Sequence, residues 1–184
     1  MKHLIFVLSA PSGTGKTTIQ KILKNELKDI DIITTYTTRK KRPGEVNGID
    51  YNFVSEEKFK KMIKQNKFAE WSLVYGNYYG TPKNKIEENL KKGKKTLLVI
   101  DTQGALKIKK IYPSAFLIGI LPPSLKEQET RLRKRNDMLE EEIKKRIAFS
   151  KEERKVLRKY YDIRLINKDI KKTIERIKKI LLSN

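Results

Sequence analysis

A glycine-rich loop that separates a short apolar run from a helical pattern constrains the fold of this chain more than any other feature. The apolar run covers residues 4–8, and residues 10–17 then read A-P-S-G-T-G-K-T. Glycines let successive backbone N–H groups turn toward phosphate oxygens, and the helix N-terminus adds a partial positive charge. The segment meets the phosphate-loop pattern G-x-x-x-x-G-K-[ST] except that Ala10 replaces the first glycine, which requires a negative φ or some strain there. An ordinary glycine-containing turn is the alternative, and it leaves the agreement of strand, loop and helix unexplained.

The loop predicts a binding site for the phosphates of a nucleoside triphosphate. Lys16 is expected to reach the β- and γ-phosphates, and the Thr17 hydroxyl is expected to ligate Mg²⁺. An acidic candidate, Asp101, follows the apolar run of residues 96–100, where its carboxylate would hold the Mg²⁺ ion through water. The alternative for Asp101 is that it caps the helix that follows near Gln103.

Short apolar runs alternate with helical patterns along the rest of the chain. The runs that are β-branched and mostly uninterrupted, as in strands buried on both faces, cover residues 4–8, 30–35, 96–100, 115–121 and 163–166. Helical patterns cover residues 16–28, 103–112, 124–135, 140–159 and 170–182. Residues 36–82 interrupt this rhythm with four glycines and one helical pattern at 55–66. The sequence therefore predicts an α/β fold, a parallel sheet flanked by helices, with an inserted α+β subdomain.

Composition narrows the class of protein. The chain has no cysteine and one histidine, which excludes disulfide frameworks, thiolate metal sites and cysteine nucleophiles. No apolar run approaches the roughly 20 residues that span a bilayer, and the first run is too short for a signal peptide, so we expect a single cytoplasmic domain.

The 43 Lys and Arg residues exceed the 22 Asp and Glu residues, giving a net charge of +21. A net positive charge of this size attracts polyanions. The lysine pairs are scattered along the sequence, however, and this favours solvated surface charge over a nucleic-acid interface.

Further motifs carry side chains suited to phosphate esters. Residues 37–51 read T-T-R-K-K-R-P-G-E-V-N-G-I-D-Y, residues 70–71 read E-W, residues 76–81 read G-N-Y-Y-G-T, residues 100–104 read I-D-T-Q-G and residues 122–124 read P-P-S. Arg39 and Arg42 are guanidinium groups three residues apart, suited to a phosphate dianion, and the Tyr51 and Tyr79 hydroxyls can add donors. Together they predict a pocket for a phosphate ester. Taken singly, each arginine is more typical of a solvated surface charge and each tyrosine of a half-buried wall.

In order and spacing these motifs resemble those of the guanylate kinase family, from about residue 4 to about residue 167. The resemblance implies a P-loop NTPase-type core (about residues 1–33, 83–124 and 160–184), a GMP-binding insert (about 34–82) and a helical lid (about 125–159). It also implies the reaction ATP + GMP = ADP + GDP in purine nucleotide metabolism, with Mg²⁺ as the cofactor. ATP and GMP are the expected partners, dGMP is a further acceptor to test, and neither a membrane nor a specific nucleic acid is expected.

The resemblance also assigns residues to each nucleotide. The expected GMP site consists of Thr35, Arg39, Arg42, Tyr51, Glu70, Tyr79, Thr81 and Asp101. The expected ATP site consists of Ala10, Pro11, Ser12, Gly13, Thr14, Gly15, Lys16, Thr17, Arg131, Arg135 and Asn167. The residues expected to promote phosphoryl transfer are Lys16, Arg39, Arg135 and Arg146. Within the GMP site, the Glu70 carboxylate can accept from guanine N1–H and from the 2-amino group, which adenine lacks, while the Thr35 and Thr81 hydroxyls would meet O6.

The chain departs from the family pattern at two positions. Val99 stands where an acid is usual, and we expect its loss to weaken the orientation of the GMP pocket; Asn136 stands where a glycine is common after the lid arginines. Three other functions stay open: an interaction module that has the fold without catalysis, a related kinase for another acceptor such as ribose 1,5-bisphosphate, and a nucleic-acid-binding protein. The intact Gly-Lys-Thr loop argues against the first, Glu70 argues against the second, and the third depends on the net charge alone.

Overall fold

The structure, a computed structural model, describes residues 3–134 and 138–183. The strands of this part of the chain are β1 (Ile5–Ser9), β2 (Asp31–Ile33), β3 (Tyr36–Thr37), β4 (Asn52–Phe53), β5 (Phe68–Val74), β6 (Asn77–Pro82), β7 (Thr96–Val99), β8 (Phe116–Leu121) and β9 (Ile163–Ile166). Its helices are α1 (Lys16–Glu26), α2 (Glu56–Lys64), α3 (Lys83–Lys91), α4 (Thr102–Ile111), α5 (Leu125–Arg133), α6 (Glu140–Tyr160) and α7 (Ile170–Ser183). None of these helices combines the length and the apolar composition that a membrane span requires.

Strand β1 lies at the centre of a five-stranded parallel sheet whose order is β2–β7–β1–β8–β9. Its residue Phe6 is paired with Leu97 of β7 on one side and with Phe116 of β8 on the other. All five residues of β1 are buried, which explains why the run is apolar without alternation. The carboxyl end of β1 leads into the glycine-rich loop, at the edge where open parallel sheets bind their ligands.

Helices cover both faces of this sheet. On one face, Ile19 of α1 and Ile177 of α7 belong to a core cluster with Phe6. On the other face, Ile108 of α4 packs in a second cluster with Val7, to which α3 and α6 also contribute. Because successive side chains of a strand point to opposite faces, β1 contributes to both clusters, as its neighbours β7 and β8 do, and the sheet holds the two layers of helices together.

A second, four-stranded sheet has the order β4–β3–β6–β5, and β5 and β6 form an antiparallel hairpin within it. Helix α2 covers this sheet, and the ring of its Phe59 stacks on Phe68 of β5 with centroids 4.5 Å apart. Gly80 of β6 faces both rings, and an added Cβ would lie 2.8 Å from Phe68 and 2.9 Å from Phe59. The absence of a side chain at position 80 therefore lets the aromatic pair close the small core of the second sheet.

The predicted α/β fold, with a parallel sheet flanked by helices, is confirmed, and the ends of the predicted elements shift by one or two residues. Helix α3 was not predicted. It begins directly after β6, with Pro82 at its N-cap, and Ile86 and Leu90 are its only apolar residues. Its buried Asn89 donates to the Asp31 carboxylate at 2.8 Å, so a tertiary contact that no local pattern reports helps to hold this helix.

Candidate active site

The glycine-rich loop has the backbone conformation that its sequence predicts. Gly13 and Gly15 have φ values of +80° and +99°, in the left-handed region. A Cβ at Gly13 would meet Leu132 of α5 at 2.9 Å, so close approach as well as conformation excludes a side chain there. Among the described non-glycine residues, positive φ occurs only at Asn66 and Tyr75, so Ala10 replaces the first glycine of the pattern without that strain.

Buried side chains from distant elements hold the loop from behind. The Asn167 amide donates to the carbonyl of Thr14 at 2.8 Å, and the Gln128 amide donates to the carbonyl of Ser12 at 2.7 Å. Gln128 is fully buried and also accepts from the Ser150 hydroxyl at 2.9 Å. Sequence reasoning missed Gln128, because it lies in a helix that reads as polar and solvated. Helix α5 therefore contacts the loop directly, and α6 supports that contact through Ser150.

An open cleft lies between this loop and the second sheet. The predicted site residues that line it are Ala10, Pro11, Ser12, Gly13, Gly15, Lys16, Thr17, Thr35, Arg39, Arg42, Tyr51, Glu70, Tyr79, Asp101 and Arg146. The predicted residues that are not part of its lining are Thr14, Thr81, Arg131 and Asn167. Arg135 and Asn136, also named from the sequence, lie outside the described residues.

Two of the predicted residues outside the lining act as supports. Both polar atoms of the Asn167 side chain are engaged, since its oxygen accepts from the Thr173 hydroxyl at 3.1 Å while its nitrogen holds the loop. Arg131 donates to the backbone carbonyl of Asn167 at 3.3 Å and pairs with Glu127 at 3.0 Å. Asn167 therefore contacts the loop itself, and Arg131 contacts Asn167.

A buried ion pair orients the arginine at the far end of the cleft. Arg39 donates to the Glu45 carboxylate at 2.7 Å, and the other oxygen of Glu45 accepts from the backbone N–H of Arg42 at 2.8 Å. Burial is the largest single influence and opposes ionisation of both side chains, but their hydrogen bond, the Arg42 N–H and the charges around them together outweigh it, so the pKa of Arg39 is raised and that of Glu45 is lowered. The Arg39 guanidinium also lies over the ring of Tyr51, 5.5 Å from its centroid. The structure thus gives Glu45, which the sequence analysis quoted without a role, the task of fixing Arg39.

Glu70 of β5 reaches the cleft from a buried position, with 5% of its surface exposed. One carboxylate oxygen accepts from the Thr81 hydroxyl at 2.5 Å, and the other has no hydrogen-bond partner among the described residues. Burial raises the pKa of Glu70 to about 7, with the negative charge of Asp101 adding to the effect and the Thr81 hydroxyl opposing it. The free oxygen lies next to Gly104 of α4, where an added Cβ would approach it to 2.6 Å. Glu70 therefore presents one unsatisfied acceptor that a ligand with donors can use.

Asp101 is the N-cap of α4. One of its oxygens accepts from the backbone N–H groups of Gln103 and Gly104, both at 2.9 Å, and the other accepts from the Ser72 hydroxyl at 2.5 Å. The capping interpretation of Asp101 is therefore confirmed. A carboxylate offers about four lone-pair sites, so one remains for a ligand in the cleft.

Lys16 and an acidic residue that the sequence analysis missed share the other end of the cleft. The Lys16 ammonium group donates to the carbonyl of Ile100 at 3.4 Å. Glu153 of α6 lines the same cleft with 6% of its surface exposed, and one of its oxygens has no hydrogen-bond partner in the described part of the chain. Burial raises the pKa of Glu153 to about 7, against the attraction of Lys16. The signal in the sequence was its spacing, since Glu153 follows Arg146 by seven residues and lies two helical turns further along the same face.

The chain as a whole is similar to guanylate kinases. The family model described as guanylate kinase matches residues 2–184. A guanylate kinase of Caldanaerobacter subterraneus is 45% identical over 180 residues, covering 98% of this chain and 87% of that protein. A guanylate kinase of Clostridioides difficile is 44% identical over 182 residues, covering 99% of this chain and 88% of that protein.

A solved structure agrees with these relatives. The crystal structure of guanylate kinase from Anaplasma phagocytophilum superimposes with a TM-score of 0.79 at 36% identity, covering 98% of this chain and 85% of that chain. The family model and the relatives each match nearly the whole chain, from the glycine-rich loop to α7. The chain therefore belongs to the guanylate kinase family.

Proposed function

We propose that the cleft holds ATP and GMP in line, and that the chain thereby transfers the γ-phosphoryl group of ATP to GMP, giving ADP and GDP. Membership in the guanylate kinase family gives the chain this activity. One observation carries the assignment of residues: a single cleft has a phosphate loop at one end and a buried carboxylate with two arginines at the other. The donor side would lie on residues 10–17 and the acceptor side on the second sheet, within the insert of residues 34–82.

On the acceptor side, the available groups match a guanine nucleotide. The unsatisfied oxygen of Glu70 would accept from the donors at guanine N1 and the 2-amino group, and Thr35 supplies a hydroxyl nearby for O6. Arg39, held by Glu45, and Arg42 would bind the monophosphate. Tyr51 and Tyr79, whose rings meet edge to face at 6.0 Å, would close that pocket.

On the donor side, the loop and Lys16 would hold the triphosphate of ATP, while the lid of residues 125–159 would cover it. The described residues contain no group of three or more His, Cys, Asp or Glu side chains suited to a metal ion. Thr17, Asp101 and the unpartnered Glu153 line the cleft, which suits Mg²⁺ because that ion keeps several waters and takes most of its other ligands from nucleotide oxygens. Bound there, Mg²⁺ would neutralise charge on the transferring phosphoryl group.

The chemical step needs positioning more than proton transfer. A phosphate oxygen of GMP attacks the γ-phosphorus, the bond from that phosphorus to the bridging oxygen of ADP breaks, and no general base is required because the attacking oxygen is already ionised. Lys16, Arg39 and Arg146 would hold the reacting groups in line and neutralise the charge that develops. Arg135 keeps its predicted role in this step on the resemblance alone.

The test is ADP formation from Mg²⁺-ATP with GMP, dGMP, AMP, UMP and ribose 1,5-bisphosphate as separate acceptors. GMP is expected to exceed AMP in kcat/KM by at least about 100-fold, because a site built for hydrogen bonds leaves its groups unpaired with the wrong base. No turnover with any acceptor, from a folded protein that still binds GMP, would contradict the proposal and favour the interaction module. Equal turnover of GMP and ribose 1,5-bisphosphate would contradict the guanine assignment.

Gly104→Ala is expected to weaken GMP binding without touching the nucleotide. The added Cβ would push the Glu70 carboxylate out of place, while alanine suits helix α4 better than glycine, so the fold should not lose stability. We expect the KM for GMP to rise about tenfold, with a smaller change in kcat. Steady-state kinetics and thermal unfolding measure both effects. Lys110→Ala, an exposed change on the same helix, is the control, and a wild-type KM for Gly104→Ala would contradict this reasoning.

GMP binding is expected to release protons near pH 7. Burial raises the pKa of Glu70 to about 7, and guanine presents donors that require the ionised carboxylate. Below that pKa, binding must first remove a proton, so the affinity for GMP should fall by up to about tenfold per unit as the pH drops from 7 to 6. Above about pH 8, where Glu70 is already ionised, the affinity should level off.

Calorimetry at pH 7 in two buffers of different ionisation enthalpy measures this release, and we expect about half a proton per GMP. The phosphate of GMP, with a second pKa near 6, contributes only about a tenth of a proton at that pH. Glu153→Gln is the control, because Glu153 lies on the donor side and should leave the release intact. Proton uptake, or no release beyond that of the phosphate, would show that Glu70 is ionised before GMP arrives.

A further inference from the structure

Tyr75 occupies a backbone position that a large aromatic residue rarely adopts. It connects β5 to β6 together with Gly76, and the two residues have φ values of +50° and +74°. Positive φ at both central residues defines the two-residue hairpin turn for which Asn-Gly is the preferred sequence. A bulky residue in the left-handed region is a true outlier, and such outliers persist where the surrounding structure uses them.

The ring of Tyr75 uses this position to reach helix α6 on the opposite side of the cleft. The Arg146 guanidinium lies over the ring, with its central carbon 4.6 Å from the ring centroid. Phe149, one turn further along α6, meets the same ring edge to face at 5.3 Å. Tyr75 and Arg146 both line the cleft, so the contact joins the second sheet to the lid helix at the place where the two nucleotides would meet.

Arg146 is held from three directions. Its guanidinium donates to the Ser12 hydroxyl of the glycine-rich loop at 3.0 Å and pairs with Glu142 on its own helix at 2.5 Å. The third contact is the ring of Tyr75, and only 11% of the arginine side chain is exposed. The Ser12 and Glu142 bonds fix two edges of the guanidinium plane, and stacking on an aromatic face fixes the plane itself.

We infer that Tyr75 is a positioning residue that fixes the plane of the Arg146 guanidinium, so that its remaining N–H groups point to the reacting phosphates, and so couples the hairpin of the GMP side to the lid. This inference rests on the proposed function, which gives Arg146 its role in phosphoryl transfer. A merely structural role, in which the ring anchors the hairpin, predicts a different result. Removal of the ring would then lower stability and weaken GMP binding, and these losses would be the same whether or not Arg146 is present.

Two substitutions at position 75 separate these roles. Tyr75→Asn removes the ring and installs the residue that the turn prefers, so the unfolding temperature should stay at or above that of the wild type. Tyr75→Phe keeps the ring and its stacking on Arg146. Leu73→Thr, an exposed change two residues away on the same hairpin, is the control. Each variant is made in the full chain, in the wild-type and in the Arg146→Ala background.

Tyr75→Asn is expected to lower kcat about tenfold with the KM for GMP within about twofold of the wild type, while Tyr75→Phe and Leu73→Thr stay within about twofold in both constants. In the Arg146→Ala background, Tyr75→Asn should cause no further loss. A kcat for Tyr75→Asn within twofold of the wild type, an equal loss in Tyr75→Phe, or a further tenfold loss in the Arg146→Ala background would each overturn the inference.

Failure of the proposed function would show separately, as no GMP-dependent turnover by the wild type. In that case ATP binding alone tests the inference. It can do so because the Arg146 guanidinium donates to the Ser12 hydroxyl of the glycine-rich loop. The rise in unfolding temperature caused by ATP should then be smaller for Tyr75→Asn than for Tyr75→Phe. Equal rises in the two variants would overturn the inference.

Discussion

Lys16→Ala is expected to lower kcat by roughly 10³-fold while the KM for GMP stays within about threefold of the wild type. Lys16 is the first residue of α1, and its ammonium group lies in the cleft beside the glycine-rich loop. From there it would neutralise charge that develops on the transferring phosphoryl group once the lid covers the site. GMP binds at the other end of the cleft, on the second sheet, so its ground-state binding should hardly depend on Lys16.

The fold should tolerate this substitution. In the structure Lys16 donates one long hydrogen bond, at 3.4 Å, to the carbonyl of Ile100, and bonds of that length add little to stability. The loop keeps its shape through its glycines and through Asn167 and Gln128, whose hydrogen bonds go to the carbonyls of Thr14 and Ser12 and do not involve Lys16. Thermal unfolding of Lys16→Ala is therefore expected to match that of the wild type.

Rapid-mix and steady-state assays of ADP formation measure the loss in Lys16→Ala, and calorimetric titration of GMP measures acceptor binding. Lys28→Ala, which removes an exposed lysine just beyond the same helix, is the matched control and should keep wild-type turnover. A kcat for Lys16→Ala within tenfold of the wild type would show that the loop binds something other than the transferred phosphates.

The central sheet and the loop could be predicted because local signals agreed with the tertiary structure there. A strand buried on both faces needs an uninterrupted apolar run, and residues 4–8 supply one. The loop pattern is set by backbone conformation, since Gly13 and Gly15 require positive φ, and sequence reports that requirement directly. Local sequence and structure also agree at the start of α5, where Ser124 and Glu127 have the spacing of a capping box and the Ser124 hydroxyl accepts from the backbone N–H of Glu127 at 3.0 Å.

The supports of the site could not be predicted in the same way. Gln128 and Tyr75 carry no local signal, because each acquires its role from an element far away in sequence, and Glu153 carries only its spacing from Arg146. Asn167 was assigned to the ATP site by resemblance, and its contact with the carbonyl of Thr14, 153 positions earlier, emerges only when β9 is placed beside β8. A single sequence reports what a residue can do, whereas the fold decides which partner it meets.

Glu70→Gln is expected to lower kcat/KM for GMP by about 100-fold or more and to remove most of the preference for GMP over AMP. The carboxylate presents an unsatisfied acceptor in a buried position, next to Gly104. Glutamine fills the same volume but replaces one acceptor with an NH₂ donor, which would face the donors of guanine. The loss therefore has two causes. One hydrogen bond to guanine is missing, and the NH₂ group of glutamine faces an N–H donor of the base, which repels it.

The fold should survive this change as well. Burial raises the pKa of Glu70 to about 7, so at pH 8 the folded protein carries a costly buried charge that glutamine removes. The bond to the Thr81 hydroxyl can be kept by the glutamine oxygen. We expect the unfolding temperature of Glu70→Gln at pH 8 to equal or exceed that of the wild type, and Glu57→Gln, an exposed acid on α2, serves as the matched control.

IMP makes the test specific to atoms, because it keeps N1–H and O6 of guanine and lacks only the 2-amino group. With the wild type, the ratio of kcat/KM for GMP to that for IMP measures the bond between the 2-amino group and Glu70, and we expect about 10- to 100-fold. With Glu70→Gln the ratio should collapse toward one, since the acceptor that distinguished the two bases is gone. A ratio that stays unchanged in Glu70→Gln would place base recognition on another residue of the cleft, and would remove Glu70 from the GMP site.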